Sequence, residues 1–347
     1  MDCTYCYLPL RKIKNLMPLH VAQAVAEPVN EWAAKDPAFE VVWHGGEPLS
    51  AGREHLAALM APFENVQHSV QTNAALIDDA WCKFLLEHDM HVGVSIDGPE
   101  DMNHHRVTRA GHPAFRVIMR GIQRLRAHGI PFSAIAVVSD PDPATATRFY
   151  EFFAELGVTD LGVNVEEEEG VNRGVQEVDP ARATDFWAAL ADAWSANPVV
   201  RLREISRVLG FASSILHAQP PEPDPASALW DPLPTVAVDG GVVLLSPELA
   251  GFSDERFGDF TTGNVLRDRL DLLVSDADTR TPWITEFRDG VEACARTCGY
   301  FAFCGGAHPA NRYFEHGGRM DGTRTRYCTT AKIALLEGVT QHVHRHQ

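Results

Sequence analysis

The residues best equipped for chemistry are the seven cysteines, and they are unevenly spaced. Cys3 and Cys6 form a C-x-x-C at the start, Cys82 stands alone, and Cys294-x3-Cys298-x5-Cys304-x23-Cys328 occupies the last part of the chain. The first residues are polar, without the basic stretch and apolar run of a secretion signal. An odd cysteine count in such a chain argues against a disulfide framework and for metal or redox chemistry. By residue type alone, Cys3-Thr4-Tyr5-Cys6 suits a thioredoxin-like redox pair, which would need a strand before Met1, or half of a zinc site. The four late cysteines match one [4Fe-4S] cubane with no open iron, and equally a four-thiolate zinc site; spacing does not choose between them. Cys82 falls within a helical pattern over residues 79–87 and reads as a small buried side chain.

A second group of polar residues follows apolar runs: His44-Gly45-Gly46-Glu47-Pro48, Gln71-Thr72-Asn73, Ser95-Ile96-Asp97-Gly98-Pro99 and Asn164. Singly, a Gly-Gly pair is a tight turn and an Asn or Asp at a strand end is a helix cap. Together they have another use. Two glycines let backbone approach a ligand closely, and a fixed carboxylate beside them can hold an ammonium group, so a zwitterionic small molecule would suit this set. For His44, cofactor contact and packing remain equally open.

These groups need elements that hold them at one rim. Helical periods cover residues 18–35, 78–88, 113–128 and 144–156, alternating with apolar strand-like runs at 39–43, 66–71, 91–96, 131–138 and 161–165. Repeated units of this kind build a parallel sheet covered by helices, with reactive groups at the carboxyl ends of the strands. Five visible strands, with one expected before Met1, predict an α/β fold, a partial (β/α)6 barrel. Helices are expected over 180–197 and 200–217, and Glu166-Glu167-Glu168-Glu169 reads as a solvated loop face. The proline-rich stretch 219–234 reads as a linker, dividing a barrel with helical extension at 1–218 from a loop-rich domain at 235–347. The latter opens with a hairpin signal around Asp239-Gly240-Gly241, and His342, His344 and His346 read as a frayed tail.

The composition narrows the function classes. Lys plus Arg number 30 against 47 for Asp plus Glu, a net charge of −17 that would repel a phosphate backbone, so no nucleic-acid partner is expected. No window approaches about 18 uninterrupted apolar residues, so no membrane span is expected and a cytoplasmic location is.

Cys3-x-x-Cys6 with Tyr5 and Tyr7, followed in order by Gly45-Gly46-Glu47-Pro48, Gln71-Thr72-Asn73 and Ser95-Ile96-Asp97-Gly98-Pro99, resembles a radical S-adenosylmethionine (SAM) enzyme. That family's signature is C-x3-C-x2-C, whose three thiolates bind three irons of a [4Fe-4S] cluster and leave the fourth iron for the methionine part of SAM. Counting back four from Cys3 places the first cysteine at position −1, so the sequence is expected to start at an internal methionine, with Cys and an apolar strand upstream. The late cysteines resemble a SPASM domain, the auxiliary-cluster extension of peptide-modifying radical enzymes. Leu245-Ser246-Pro247-Glu248-Leu249 carries no cysteine where larger versions do, so one auxiliary cluster is expected rather than two. Ser246 to Leu249, Gly258-Asp259-Phe260, Gly263-Asn264-Val265, Cys298-x-Tyr300 and Cys304-Gly305-Gly306 to Pro309-x-Asn311 resemble the cyclophane-forming maturases. With residues 164–172, they are most similar to the glycine-rich-repeat peptide maturase branch.

The resemblance implies an oxidoreductase acting on a ribosomally made precursor peptide. The 5'-deoxyadenosyl radical takes a hydrogen from an unactivated side-chain carbon, the carbon radical bonds to a nearby aromatic ring, and loss of an electron and a proton leaves a cyclophane crosslink. It implies Cys3 and Cys6 for the SAM-cleaving cluster, and Cys294, Cys298, Cys304 and Cys328 for an auxiliary [4Fe-4S] cluster that accepts the returning electron. Tyr5 would lie by the adenine, Gly45, Gly46 and Glu47 by the methionine amino group, Asn73, Ser95 and Asp97 in the SAM pocket, and Arg106 by the carboxylate. Asn164 and Glu166 would face the substrate, and the electron donor would be a flavodoxin or ferredoxin. The alternatives are an anaerobic sulfatase-maturase-like enzyme, which normally has two auxiliary clusters, and a truncated, catalytically inactive peptide-binding protein with a four-cysteine zinc site.

Overall fold

In the computed structural model, which describes residues 1–9, 11–217 and 232–346, the periods of the first half appear where their patterns place them. They run α1 (Leu19–Lys35), β1 (Glu40–Trp43), α2 (Arg53–Met60), β2 (Gln67–Thr72), α3 (Asp79–Glu87), β3 (His91–Ser95) and α4 (Phe115–Ala127), of which the short α2 lies outside every expected period. Strands β1, β2 and β3 pair in parallel in that order, with Val41 opposite His68 and Val70 opposite Val92. Asp78 caps α3 by accepting the Trp81 N–H at 2.7 Å, and Trp81, Cys82, Phe84 and Leu85 form its buried face. Cys82 is the fully buried small side chain expected. Helix α4 buries Ile118, Gly121, Ile122 and Leu125. A Cβ on Gly121 would stand 1.9 Å from the Ala74 carbonyl oxygen, so only glycine lets α4 approach the loop that carries Asn73.

The second run comprises β4 (Ser133–Val138), α5 (Ala146–Leu156), β5 (Asp160–Val165), α6 (Pro180–Ala196), β6 (Arg201–Leu202) and α7 (Arg203–Leu216). Strands β4, β5 and β6 are again parallel, with Ala136 opposite Val163 and Leu161 opposite Leu202. Helix α5 buries Phe149, Tyr150 and Phe153 and ends at Gly157, whose φ of 78° is left-handed. The helix expected over 200–217 is corrected at its start, where Arg201 and Leu202 pair with β5 before α7 begins. Two residues are too few for a strand period to show in sequence.

The chain continues through the hairpin β7 (Thr235–Val236) and β8 (Gly241–Val243), joined by Gly263–Asn264 as a third antiparallel strand. Then come α8 (Leu270–Ser275), α9 (Ala277–Arg280), α10 (Pro282–Thr297), α11 (Phe301–Cys304), α12 (Pro309–Glu315), a π-helix over Cys328–Ile333 and α13 (Ala334–Arg345). The terminal histidines are not a frayed tail. Helix α13 packs so tightly on α6 that a Cβ on Gly338 would meet the Thr184 carbonyl at 2.5 Å, and His342 and His346 both bond to Asp192.

Packing divides the chain differently from its sequence. One unit comprises Met1–Ser95, Arg106–Phe132 and Pro232–Thr285, and the other Ile96–His105, Ser133–Asp231 and Glu286–Gln347. Segments from both sides of the proline-rich stretch thus enter each unit. Residues 219–231 of that expected linker lie outside the described residues. Among the described residues, no helix is long and apolar enough to cross a membrane.

Candidate functional site

In the first unit, the N-terminal loop is pinned from both sides. The Asp2 N–H donates to the Val107 carbonyl at 2.9 Å, and the Arg11 guanidinium meets Asp2 at 2.6 Å and the Cys6 and Leu8 carbonyls at 3.4 Å each. A turn from the Cys6 N–H to the Cys3 carbonyl, 3.2 Å, sets both half-exposed cysteines on one short loop. The Arg106 guanidinium, almost fully buried, lies 5.5 Å from the Tyr5 ring centroid. Two expected cofactor residues distant in sequence are therefore brought into contact.

Gly45 and Gly46, directly after β1, both have left-handed φ, 79° and 54°, and nothing lies within 4 Å of where their Cβ atoms would be. This is backbone with open space beside it. Glu47 follows. One of its oxygens accepts from the Leu49 N–H at 3.1 Å and the Thr72 hydroxyl at 2.7 Å, and the other from the Asn73 N–H at 2.9 Å. Burial pushes the Glu47 carboxyl up from its ordinary value, opposed by the bonds from Asn73, Thr72 and Leu49. Three donors leave a carboxylate acceptor capacity for one more, which is where an ammonium would add. Glu47 thus ties the turn after β1 to the end of β2. The Gln71 amide donates to the Ser95 hydroxyl at 2.8 Å, linking the ends of β2 and β3, while the Asn73 side-chain oxygen accepts from the Ala75 N–H at 3.0 Å. Also in this unit, burial raises the Glu248 carboxyl, which accepts from the Ser246 hydroxyl at 2.9 Å.

The second unit holds Asp97, Asn164 and Glu166. Asp97 is buried, and its carboxylate accepts from the Val137 N–H at 2.9 Å while its own N–H donates to the Asn103 side chain at 3.0 Å. Burial lowers the His105 imidazole, and Glu166 and Asp97 both oppose that shift, so the two carboxylates lie within electrostatic reach of one histidine. The Asn164 oxygen accepts from Arg203 at 2.7 Å, across a space kept by Gly162, whose Cβ would stand 2.8 Å from that guanidinium. The reading of the glutamate run as a solvated face is corrected. Glu166 accepts from the Asn172 amide at 3.1 Å, Glu167 and Glu169 both accept from the Asn311 amide, and Glu168 pairs with Arg173 and Arg326. Glu169 is only 7% exposed, and buried carboxylates need such partners. His308 lies 4.0 Å from Glu167 and 3.7 Å from Glu169, and burial, with Lys332 and Arg312, pushes its imidazole down to about 3.

Cys294, Cys298, Cys304 and Cys328 all line one cavity of about 220 Å³, with Gly306, Thr323 and Ile333 among its other walls. Burial and the other three cysteines push the Cys328 thiol up to about 11. Arg324 also lines the cavity, and three further cations lie close to the set. Arg207 donates to the Cys304 carbonyl at 3.2 Å, Lys332 stands 5.1 Å from the Tyr327 ring on the π-helix, and Arg312 donates to the Cys294 sulfur at 3.2 Å. Burial lowers the Lys332 ammonium to about 8. Four thiolates facing one cavity are the donor set of a [4Fe-4S] cubane, and the same four suit a tetrahedral zinc ion, so the residues present fit either group. Sequence reasoning missed Arg312, Arg207, Lys332 and the Asn311–glutamate bonds. Pro309-x-Asn311 marked the segment, but nothing in its spacing marks which side chains turn inward.

Comparison with known proteins places these features. The radical SAM superfamily profile matches residues 1–153. The uncharacterized protein sll1766 of Synechocystis sp. is 30% identical over 352 residues, covering 94% of this chain and 85% of that protein. A serine-type anaerobic sulfatase-maturating enzyme of Bacteroides thetaiotaomicron is 34% identical over 168 residues, 45% of this chain and 41% of its own. Among solved structures, anSMEcpe with bound AdoMet aligns with a TM-score of 0.73 at 22% identity, covering 99% of this chain and 94% of that one. Streptococcus suis SuiB bound to its precursor peptide SuiA aligns with a TM-score of 0.65 at 16% identity, covering 94% and 72%. Both alignments carry the α/β fold, a parallel sheet with helices, that the alternating periods predict. The chain belongs to the radical SAM superfamily, enzymes whose cofactors are S-adenosyl-L-methionine and a [4Fe-4S] cluster.

Proposed function

We propose that this chain is a peptide maturase that joins a side-chain carbon to an aromatic ring in a ribosomally made precursor, forming a cyclophane. The observation that carries the reading is the four-cysteine cavity, additional to the N-terminal Cys3-Cys6 loop, to which we assign the role of electron acceptor. When bound, SAM and its cluster supply a 5'-deoxyadenosyl radical able to abstract hydrogen from an unactivated carbon. The protein's part is to hold and shield. Cys3 and Cys6 supply thiolates to the SAM cluster, Tyr5 and Arg106 wall the cofactor, and the Gly45-Gly46 backbone lies along it. Glu47 holds the methionine ammonium, with Asn73 and Ser95 beside it, and Asp97 is also assigned to the cofactor. Asn164 and Glu166 are assigned to the peptide, and Cys294, Cys298, Cys304 and Cys328 to the auxiliary cluster. That SuiB has been crystallised with a precursor peptide supports a peptide partner, and a flavodoxin or ferredoxin is the proposed donor.

Similarity to a sulfatase-maturating enzyme over 45% of this chain favours a second reading, oxidation of a serine or cysteine to an aldehyde. Against it, the four late cysteines all serve one cavity. The test uses the full-length holoenzyme, reductant, SAM and any small precursor peptide encoded near its gene. The expected product is lighter by two hydrogen atoms, gives a bridged fragment pattern in tandem mass spectrometry and does not react with hydroxylamine, with 5'-deoxyadenosine formed in equal amount. A hydroxylamine-reactive aldehyde, which has the same mass when serine is oxidised, supports the second reading instead.

A further inference from the structure

We propose that Arg312 sets the reduction potential of the auxiliary cluster through its hydrogen bond to the Cys294 sulfur. The inference rests on the reading that Cys294, Cys298, Cys304 and Cys328 hold a [4Fe-4S] cluster. Arg312, on α12, is 1% exposed, one of the largest fully buried side chains. Its guanidinium donates from one nitrogen to Cys294 Sγ at 3.2 Å and to the Gly306 carbonyl at 2.7 Å, and from the other to the Gly322 carbonyl. The Phe287 ring centroid is 5.4 Å away. Gly290 on α10 makes the room, since a Cβ there would stand 2.3 Å from the guanidinium. The side chain is therefore held in one orientation by its carbonyl partners, aimed at one cluster ligand.

Burying a charge without a counter-charge is costly, so a guanidinium in this place needs an anion beside it. As a thiol, Cys294 donates to the Thr323 carbonyl at 3.2 Å. Once the sulfur has lost its proton to solvent on binding metal, Arg312 remains as its hydrogen-bond donor. A [4Fe-4S] core with four thiolates is already negative and becomes more so on reduction, so a fixed cation hydrogen-bonded to a ligand sulfur stabilises the reduced form more than the oxidised one. The consequence is a cluster biased toward accepting one electron.

The test isolates this cluster in the full-length Cys6→Ala variant, which lacks the SAM-cleaving cluster, and follows reduction by electron paramagnetic resonance during a redox titration. Adding Arg312→Gln is expected to shift the one-electron equilibrium about tenfold toward the oxidised state, about 59 mV lower in potential, with Arg312→Lys between the two. A purely structural Arg312 would leave the midpoint of whatever cluster remains unmoved, and that result overturns the proposal. Because either substitution could cost the fold, a second measurement leaves Arg312 in place. With 15N-labelled arginine, pulsed resonance of the reduced cluster is expected to show a weak 15N coupling, and its absence equally overturns the proposal. A Cys6→Ala protein holding zinc, or no metal, defeats the cluster reading itself and is told apart by metal analysis of the same sample.

Discussion

Cys304→Ala is expected to leave about four irons per chain in place of about eight, and to abolish formation of crosslinked peptide. Cys304 ends α11, and its thiol lines the same cavity as Cys294, Cys298 and Cys328. Three thiolates with an exposed iron no longer make the closed site that four make, and the cluster becomes open to loss. SAM binding should survive, because Tyr5, Gly45, Gly46, Glu47, Asn73, Ser95 and Arg106, the residues assigned to SAM apart from Asp97, belong to the other compact unit. Iron, sulfide and SAM affinity measured on one preparation separate the outcomes. Unchanged iron with continued crosslinking would remove Cys304 from the ligand set, and loss of both iron and SAM binding would point to general misfolding.

Glu47→Ala should weaken SAM binding by about one to two decades without removing either cluster, the value of a charge-assisted hydrogen bond of roughly 1.5 to 3 kcal/mol. The structure adds a complication and a way around it. Glu47 also holds the Thr72 hydroxyl and the Asn73 and Leu49 amides, so alanine removes a scaffold together with a charge. Glu47→Gln keeps one oxygen acceptor and the side-chain volume. If the carboxylate meets the SAM ammonium, glutamine should lose affinity almost as alanine does; if Glu47 is scaffold alone, glutamine should bind nearly as wild type. The pH dependence has a definite sign. Burial raises the Glu47 carboxyl, so wild-type affinity should fall as pH drops through that raised value and the carboxylate is neutralised, while the glutamine variant should show no such fall.

The sequence carried the parts of this architecture whose signal is periodic and local. The strands that end at Trp43, Thr72 and Ser95, and the polar residues just after or at those ends, were legible because apolar runs stop abruptly at Gly45-Gly46 and at Gln-Thr-Asn. What was hidden depends on partners far along the chain. A run of four glutamates reads as solvated until Asn311, His308 and Arg326 arrive from more than a hundred residues away. Strand β6 exists only through its pairing with β5. The terminal histidines look like a tail until Gly338 seats their helix on α6. Arg312, on a seven-residue helix, carries no mark of burial in the sequence; its burial is fixed by the glycine at 290 and the carbonyls of Gly306 and Gly322.

The central claim is that two separate cysteine sets in this chain hold iron–sulfur clusters. Its most direct test is metal and sulfide analysis of the full-length protein after anaerobic reconstitution. The account expects about eight irons and about eight sulfides per chain, falling to about four of each when Cys3 and Cys6 are both replaced by Ala. Zinc without sulfide in the four-cysteine cavity would contradict it.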